Sequence, residues 1–433
     1  MDPGSRSQQA APLGATTASP RPSRNPFRVL ARHGDYRIFW TGQTLSLIGS
    51  WMQTMAVGWL SLQLSNSALV VGLVASAAAL PVVLLSMHAG ALVDHGNKLR
   101  WVRLTQSVFL GQAIVLWLIT ATGHVSIPWL LTLQLIQGVA SAIEIPARQS
   151  LVIELVGRDD LQPAIALNSS GFNLARVVGP AIGGLVISRF GIAWCFALNA
   201  LSFVAVLIGV LRIRPPFAPP PAPPVALRVL IGRSTQGAVD GVRYLMRPGP
   251  VRDLLLLVTV GSLFGGPFLT LMPVVARDTL HLDASGYGAL LAVLGVGGLT
   301  GALLVAGPLS HRPRKGSALL AAAIAFPALL LTFALTSHPV LAWPLLFLTG
   351  LAMIAFNAMS NGVLQLLVDE AYRGRLMAFY SLVFIGLSQA VGGVGLGAVA
   401  RWAGAPVAIA GSATILLAAA LVAWRRSAFW RRV

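Results

Sequence analysis

Twelve runs of mostly apolar residues follow one another between Ile38 and Trp424, with short polar segments between them. A helix needs about 20 apolar residues to cross the hydrocarbon core of a bilayer. The pattern places spans near 38–64, 69–93, 99–121, 127–146, 161–187 and 190–211, then 251–276, 285–309, 316–336, 339–368, 374–402 and 404–424. The long interruption, at 212–250, falls between the sixth and seventh. It contains PPFAPPPAPP from Pro215 to Pro224, which favours extended polyproline geometry and excludes helix. Leu227 to Met246 then reads either as an amphipathic helix on the membrane surface or as a solvated linker helix. The pattern therefore predicts an all-α membrane protein of twelve transmembrane helices in two pseudo-symmetric six-helix bundles. Its parts are a disordered cytoplasmic tail at 1–34, a first bundle at 35–211, a Pro-rich cytoplasmic linker at 212–250, a second bundle at 251–424 and a cytoplasmic tail at 425–433.

A shift of 213 residues relates the two halves. It sets Val178-Gly179 on Val391-Gly392, Gly184 on Gly397, Gly191 on Gly404 and Leu151 on Leu364. Matched glycine spacing carries more weight than the identities, because glycine permits close helix contact. Two related six-helix halves are the plan of a secondary transporter that rocks about a central site.

Composition excludes a soluble domain: 56% of the residues are apolar and 10% charged, against roughly a quarter charged in soluble chains. The net charge of +18 raises a nucleic-acid reading, but its distribution argues otherwise. Of the 31 Lys and Arg, 27 fall in the tails and alternate loops on one side. Arg189, Arg277 and Arg401 fall on the other side, and Arg176 lies within a span. This asymmetry puts both termini of a multi-pass membrane protein in the cytoplasm. No basic run is interleaved with aromatics, so no nucleic acid is expected as a partner. Cys195 is the one cysteine, which excludes an intrachain disulfide and a Cys-based metal cluster. The first 25 residues lack an apolar signal-peptide core, so the first span serves as its own uncleaved signal. No phosphate loop, His-Glu-x-x-His element or His cluster occurs. The expectation is no enzyme, no metal and no cofactor, with a proton gradient as energy source. The expected partners are the lipid bilayer and a small-molecule substrate, and the chain is expected to be a monomer.

After the second span comes Gly90-Ala-Leu-Val-Asp94-His95-Gly96-Asn97-Lys98-Leu99-Arg100. A carboxylate followed by bases on a short loop suits a charge latch at the cytoplasmic mouth, with Asp94, His95, Lys98 and Arg100 as gating residues; the alternative is an ordinary basic loop that fixes topology. This segment resembles the loop motif of the major facilitator superfamily, Gly-x-x-x-Asp-Arg-x-Gly-basic-basic, with His95 in place of the usual Arg and Asn97 in place of the second Gly. Trp40 to Gln53, Pro146-Ala-Arg148-Gln149, and Asn168 to Gly184 resemble the siderophore and macrolide exporter-like (transmembrane secretion effector) group of that superfamily. The last of these contains Gly179-Pro180-x-x-Gly183-Gly184, which is similar to the motif of drug/proton antiporters and implies export.

The fifth span carries physical reasons for a role of its own. Gly179-Pro180 removes a backbone donor and permits a bend, and Gly183 and Gly184 admit a close partner, which suits either a seal between states or plain packing. Arg176 lies mid-span, with Asn173 and Asn168 on the same segment. An ionised group there requires a wet cavity or a partner. Glu144 is the one carboxylate placed inside a predicted helix, and Arg148 follows four residues on, within pairing distance on one face. The 213-residue shift sets Glu144 on Asn357, Arg148 on Asn361 and Arg176 on Gln389. The expectation is ion coupling through Glu144, Arg148 and Arg176, with neutral contacts from the second half; the alternative makes Glu144 and Arg148 a structural pair. Gln43, Ser46, Ser50 and Gln53 recur at helical spacing, as do Asn357, Asn361 and Gln365. These polar stripes face inward, either lining the path or bonding helices together. The cavity candidates are thus Gln43, Ser46, Ser50, Gln53, Asn168, Asn173, Asn357, Asn361 and Gln389. Trp51, Trp59, Phe264 and Phe268 serve either substrate contact or packing.

The functional expectation is a proton-coupled secondary exporter of a small drug- or siderophore-like molecule working by alternating access. An uncoupled or importing facilitator, or a non-transporting sensor or scaffold, is the alternative. The charge asymmetry makes a direct prediction about orientation. A green fluorescent protein fused after Arg426 should fluoresce, and alkaline phosphatase inserted after Leu280 should be active in intact cells. The reverse pattern would invert the topology.

Overall fold

The computed structural model describes residues 27–214, 216, 249–309, 315–368 and 388–426, and every regular element among them is helical. A short α1 (Arg28–Arg32) leads into α2 (Gly34–Ser65), α3 (Ala68–His95), α4 (Lys98–Ala121), α5 (Ile127–Val156), α6 (Leu161–Phe190) and α7 (Ala193–Arg212). The second half contributes α8 (Pro250–Thr279), α9 (Ala284–Ala306), α10 (Lys315–Ala334), α11 (Pro339–Leu367), α12 (Gly393–Ala403) and α13 (Ala405–Arg426). Ten of the helices among the described residues are long and apolar enough to cross a membrane. The N-terminal tail to residue 26, the proline run apart from Pro216, the 227–246 segment, the bases of the 310–314 and 369–387 stretches, and the C-terminal tail from 427 lie outside the described residues.

Two helices differ from the sequence expectation. The fourth span was expected to end at Pro146, yet α5 continues to Val156 and carries Pro146 inside it. A membrane helix tolerates an internal proline when neighbouring helices support the freed carbonyl. In α8, Gly266 and Pro267 interrupt the helix, and wider π turns cover Gly261–Gly265 and Val275–Thr279. There Gly266 N donates to Gly261 O (3.2 Å) and Leu280 N to Val275 O (2.9 Å). Pro267 and Pro273 each withdraw a backbone donor, and the shifted bonds accommodate the loss.

Within the first half, α2 packs on α6 and α7, α3 on α5, and α4 on α5 and α7; within the second, α11 packs on α9 and α10, and α10 on α13. The halves meet along two seams, α6 against α9 and α3 against α12. Both seams are built from backbone. A Cβ on Gly184 would fall 2.8 Å from the Ala284 carbonyl oxygen, and one on Gly288 would strike the Pro180 carbonyl. In the other seam, a Cβ on Gly397 would fall 2.8 Å from Ala68 O, and one on Gly72 2.5 Å from Gly393 O. The correspondence is register for register: 213 residues separate Gly184 from Gly397 and Pro180 from Gly393, and 216 separate Gly72 from Gly288 and Ala68 from Ala284. The 213-residue shift also matches Gly191 with Gly404, which end α6 and α12 at φ +90° and +86°. Glycine alone adopts that conformation freely.

Both seams lie at the face that carries the turns at 66–67, 191–192, 280–283 and 404, remote from the N-terminal helix. Polar contacts join the halves there as well. Arg277 Nη1 donates to Asn66 Oδ1 (2.8 Å), and Ser76 Oγ donates to Gln389 O (2.8 Å).

Side chains larger than hydrogen at the seam glycines should separate the halves at a cost of about 1–3 kcal/mol. Gly72→Leu and Gly288→Leu should each lower the thermal midpoint of the purified protein by several degrees. Gly395→Leu, where an added Cβ meets nothing within 4 Å, should leave it in place. Equal behaviour of Gly72→Leu and Gly395→Leu would remove the seam assignment.

Candidate functional site

Between the halves lies a cavity of about 370 Å³, lined from α2, α3, α5, α6, α8, α9, α10, α11 and residues 388–389. Its wall is mostly apolar, with Trp51, Met55, Phe172, Tyr287, Phe326 and Met353 supplying bulk. Trp51 meets Phe172 edge to face at 5.7 Å, and Tyr287 is stacked on the buried Trp59, also at 5.7 Å. Such offset geometries suit the charge distribution of aromatic rings. Polar atoms come from Thr54, Gln134, Thr270, Asn357, Ser388 and Gln389. Gln134 is buried and its Oε1 has no hydrogen-bond partner among the described residues. The part of α2 that reaches the cavity is Trp51, Thr54, Met55, Val57 and Gly58, which share one side of the helix.

Among the described residues lining that wall, Arg176 is the one charged side chain. Its Nη2 donates to Asn173 Oδ1 (3.2 Å), while its buried Nε has no partner among the described residues. The guanidinium lies over Gly298 of α9, where an added Cβ would fall 2.7 Å from Nη2. Placing such a charge within a span costs roughly 2.5–3.5 kcal/mol on insertion scales, and a cavity wall lowers that cost through water. Gln389, matched to Arg176 by the 213-residue shift, also lines the cavity.

Glu144 occupies a different setting. It is buried at the α4–α5 contact, accepting from Thr105 Oγ1 (2.5 Å) and Gln106 Nε2 (2.9 Å). The expected Glu144–Arg148 pair is corrected in this respect: the hydrogen bonds to the carboxylate come from the neighbouring helix, while Arg148 acts on it through its charge and keeps a buried Nε unpartnered. Hydroxyl and amide donors at hydrogen-bond distance compete successfully with a guanidinium four residues along the same helix. Glu144 and Arg176, grouped by the sequence, are thus separated, one inside the first half and the other facing the cavity. Thr105 and Gln106 escaped the sequence reading; their signal was the polar run Thr105-Gln106-Ser107 within a mostly apolar span.

The polar stripe of α2 turns away from the cavity. Gln53 is buried, donating to Gln112 Oε1 (2.9 Å) and accepting from Asn199 Nδ2 (2.8 Å). Gln43 and Ser46 are buried on the same side, Ser50 is half-buried, and none of the four is in the cavity wall. Gln53 bonds helices together because α4, α5 and α7 offer matching amides there in Gln112, Gln137 and Asn199. Asn168 likewise accepts from the buried Tyr36 hydroxyl (3.0 Å), and Asn361 accepts from Gln365 within α11 (2.5 Å). Asn357 and Gln389 do line the cavity, and Asn173 reaches it through Arg176. Phe268 is fully buried in the core, and Phe264 packs on it. In the motif of α6, Gly179 abuts Trp51 and Ile48, Gly183 abuts Met52 and Met55, and Pro180 and Gly184 meet α9.

The loop at 94–100 departs from the expected latch. The Asp94 side chain is exposed, and Lys98 Nζ donates to its backbone carbonyl (3.1 Å) while pairing with Glu154 Oε1 at 3.6 Å. Glu154 lay beyond the expected end of its span, which is why the sequence reading missed it. His95 Nδ1 lies 2.9 Å from Ala91 O, Asn97 caps α4 by accepting from Arg100 N (2.9 Å), and Arg100 is exposed. Asp160 binds His33 Nε2 (2.9 Å) and Arg32 (3.4 Å), tying the α1–α2 junction to the α5–α6 turn. The His33 hydrogen bond, aided by the Arg32 charge, holds the Asp160 carboxyl below its usual value. Among the described residues no group of three or more His, Cys, Asp or Glu comes together.

The transmembrane secretion effector family profile matches residues 25–428. Among curated proteins, the chain is 28% identical to the multidrug efflux pump Tap of Mycolicibacterium fortuitum over 80% of this chain and 84% of that protein. It is 26% identical to the staphyloferrin A transporter of Staphylococcus aureus over 62% and 66%, and 26% identical to the enterobactin exporter EntS of Shigella flexneri over 76% and 72%. Among solved structures, a peptide transporter superposes with TM-score 0.72 at 13% identity, covering 95% of this chain and 99% of that one. An inward-facing, occupied bacterial homologue of the lysosomal transporter Spinster gives TM-score 0.67 at 16% identity, covering 94% and 99%.

The Asp160 contact has a pH signature. Because its folded-state carboxyl titrates below the unfolded value of about 3.9, its stabilisation is complete above that value and is lost as pH falls through the lowered one. Wild type should therefore unfold at a higher temperature than Asp160→Asn at pH 6, and the gap should shrink as the buffer is taken below pH 4. A gap that widens in acid contradicts this assignment.

Proposed function

The chain belongs to the transmembrane secretion effector family of the major facilitator superfamily, a family of transporters rather than enzymes, and from that premise we propose a bacterial inner-membrane secondary exporter that moves a small drug- or siderophore-like molecule by alternating access against proton entry. The observation that carries this reading is a mostly apolar cavity bounded at one face by two register-matched backbone seams. Relatives named as a multidrug efflux pump and an enterobactin exporter support the direction and the solute class.

In this reading twelve spans form two six-helix bundles, at 35–211 and 251–424, joined by a cytoplasmic linker at 212–250. The seamed face is periplasmic, so the conformation in hand is closed outward. Export requires the seams to part while the cytoplasmic ends close, and the two pseudo-equivalent seams allow both to open by one rotation. Glu144 carries the coupling proton. Ionised, it holds Thr105 and Gln106 across the α4–α5 contact; protonated, it loses the charge that made those bonds strong, each worth about 1.5–3 kcal/mol when one partner is ionised. That change biases the two states only through their different affinity for the proton. The Lys98–Glu154 pair and the Asp94 loop act at the cytoplasmic mouth.

The test is flux in proteoliposomes under an imposed pH gradient, scored over a panel of drug-like and siderophore-like solutes. Wild type should show uptake into inverted vesicles that an ionophore abolishes. Glu144→Gln should retain solute exchange but lose the response to the gradient. Unchanged gradient-driven flux in Glu144→Gln removes Glu144 from coupling, and no flux of any solute removes the transporter reading.

A further inference from the structure

We infer that Arg176 is the anchor for an anionic group on the cargo, which makes the cargo an amphipathic organic acid with a carboxylate or comparably charged head and an apolar, ring-bearing body. The inference deepens the exporter reading and rests on it for the cavity's role in transport.

The charge balance of the wall leads to this assignment. Among the described residues lining the cavity, Arg176 is charged and no Asp or Glu accompanies it. Among the described residues its hydrogen bonds leave capacity unused: Nη2 reaches Asn173 Oδ1 at 3.2 Å, and the buried Nε has no partner. A guanidinium keeps its charge at any physiological pH and presents donors in a planar fork that matches a carboxylate. A neutral cargo that displaced water from the cavity would leave that charge desolvated and uncompensated, and a cation would add repulsion. An acid relieves both.

The setting around the guanidinium fits a head-and-body cargo. Gly298 provides the surface on which the fork lies, and any side chain there would push Nη2 aside. Thr54, Gln134 and Asn357 lie in the same wall for secondary polar contacts, while Trp51, Phe172 and Phe326 form the apolar remainder. Glu144, the buried acid of the first half, is bonded to Thr105 and Gln106 and is absent from the wall. The proton and the cargo's charge therefore have separate seats, and competition between them for one side chain is not required.

The matched pair dansylglycine and dansylglycinamide tests the assignment, since they differ in one carboxylate. Binding to the purified full chain is read from quenching of tryptophan emission, to which Trp51 in the cavity wall contributes. Wild type should bind the acid at least about tenfold more tightly than the amide, the scale of one charge-assisted contact. Arg176→Gln should reduce that ratio to near unity, Arg176→Lys should keep part of it, and Gly298→Ala should lower it by displacing the fork without removing the charge. Failure of wild type to prefer the acid, whether both probes bind or neither does, overturns the inference, as does full preference in Arg176→Gln of wild-type thermal stability. The exporter reading is scored apart, by flux of either probe into vesicles: flux without acid preference leaves transport and sinks the anion anchor, and acid preference without flux does the reverse.

Discussion

Two backbone-to-backbone contacts, α6 on α9 and α3 on α12, hold the halves together on one face, and the cavity exists because of where they are. In lipid, apolar side chains gain little by leaving acyl chains for a neighbouring helix, so attraction comes from close van der Waals contact between small residues. Gly72, Gly184, Gly288 and Gly397 supply it by letting carbonyls and Cα atoms of the partner helix occupy the place of a side chain. Such a contact is short-ranged and flat. It can be lost and re-formed as a unit, unlike an interdigitated core, where each side chain would have to leave its own socket.

The electrostatics divide along the same line. Charges within the described helices differ in their surroundings: Glu144 sits amid hydrogen-bond donors within the first half, Arg176 at the wall between halves, and Lys98 is paired with Glu154 between α4 and α5. Glu144 and Arg176 do not share a contact, so in the proposed cycle each can respond to a different event.

The sequence revealed the spans and the repeat far better than the site. Long apolar runs report on lipid directly, and the Gly191–Gly404 match reappeared as two helix ends of the same rare backbone conformation. The site was less legible because polarity was used to find it. Gln43, Ser46 and Gln53 recur with helical spacing, yet all three lie outside the cavity wall, and Gln53 bonds Gln112 and Asn199 instead of a solute. Periodicity shows that a polar stripe avoids lipid; it does not distinguish a neighbouring helix from a cavity. Arg176 and Gln389 were recoverable, since a charge in a span needs somewhere wet and the repeat led from one to the other. Glu154 was missed because the fourth span was placed near 127–146, whereas α5 runs on to Val156.

The division of α2 into two faces has a consequence for how this chain diversifies. Gln53 and its amide neighbours anchor the rod from behind, while Trp51, Thr54 and Met55 confront the chamber from the front. Mutational drift on the front can retune which molecules are accepted without loosening the rod's seat. A lineage built this way can change its chemical clientele while inheriting an unaltered machine.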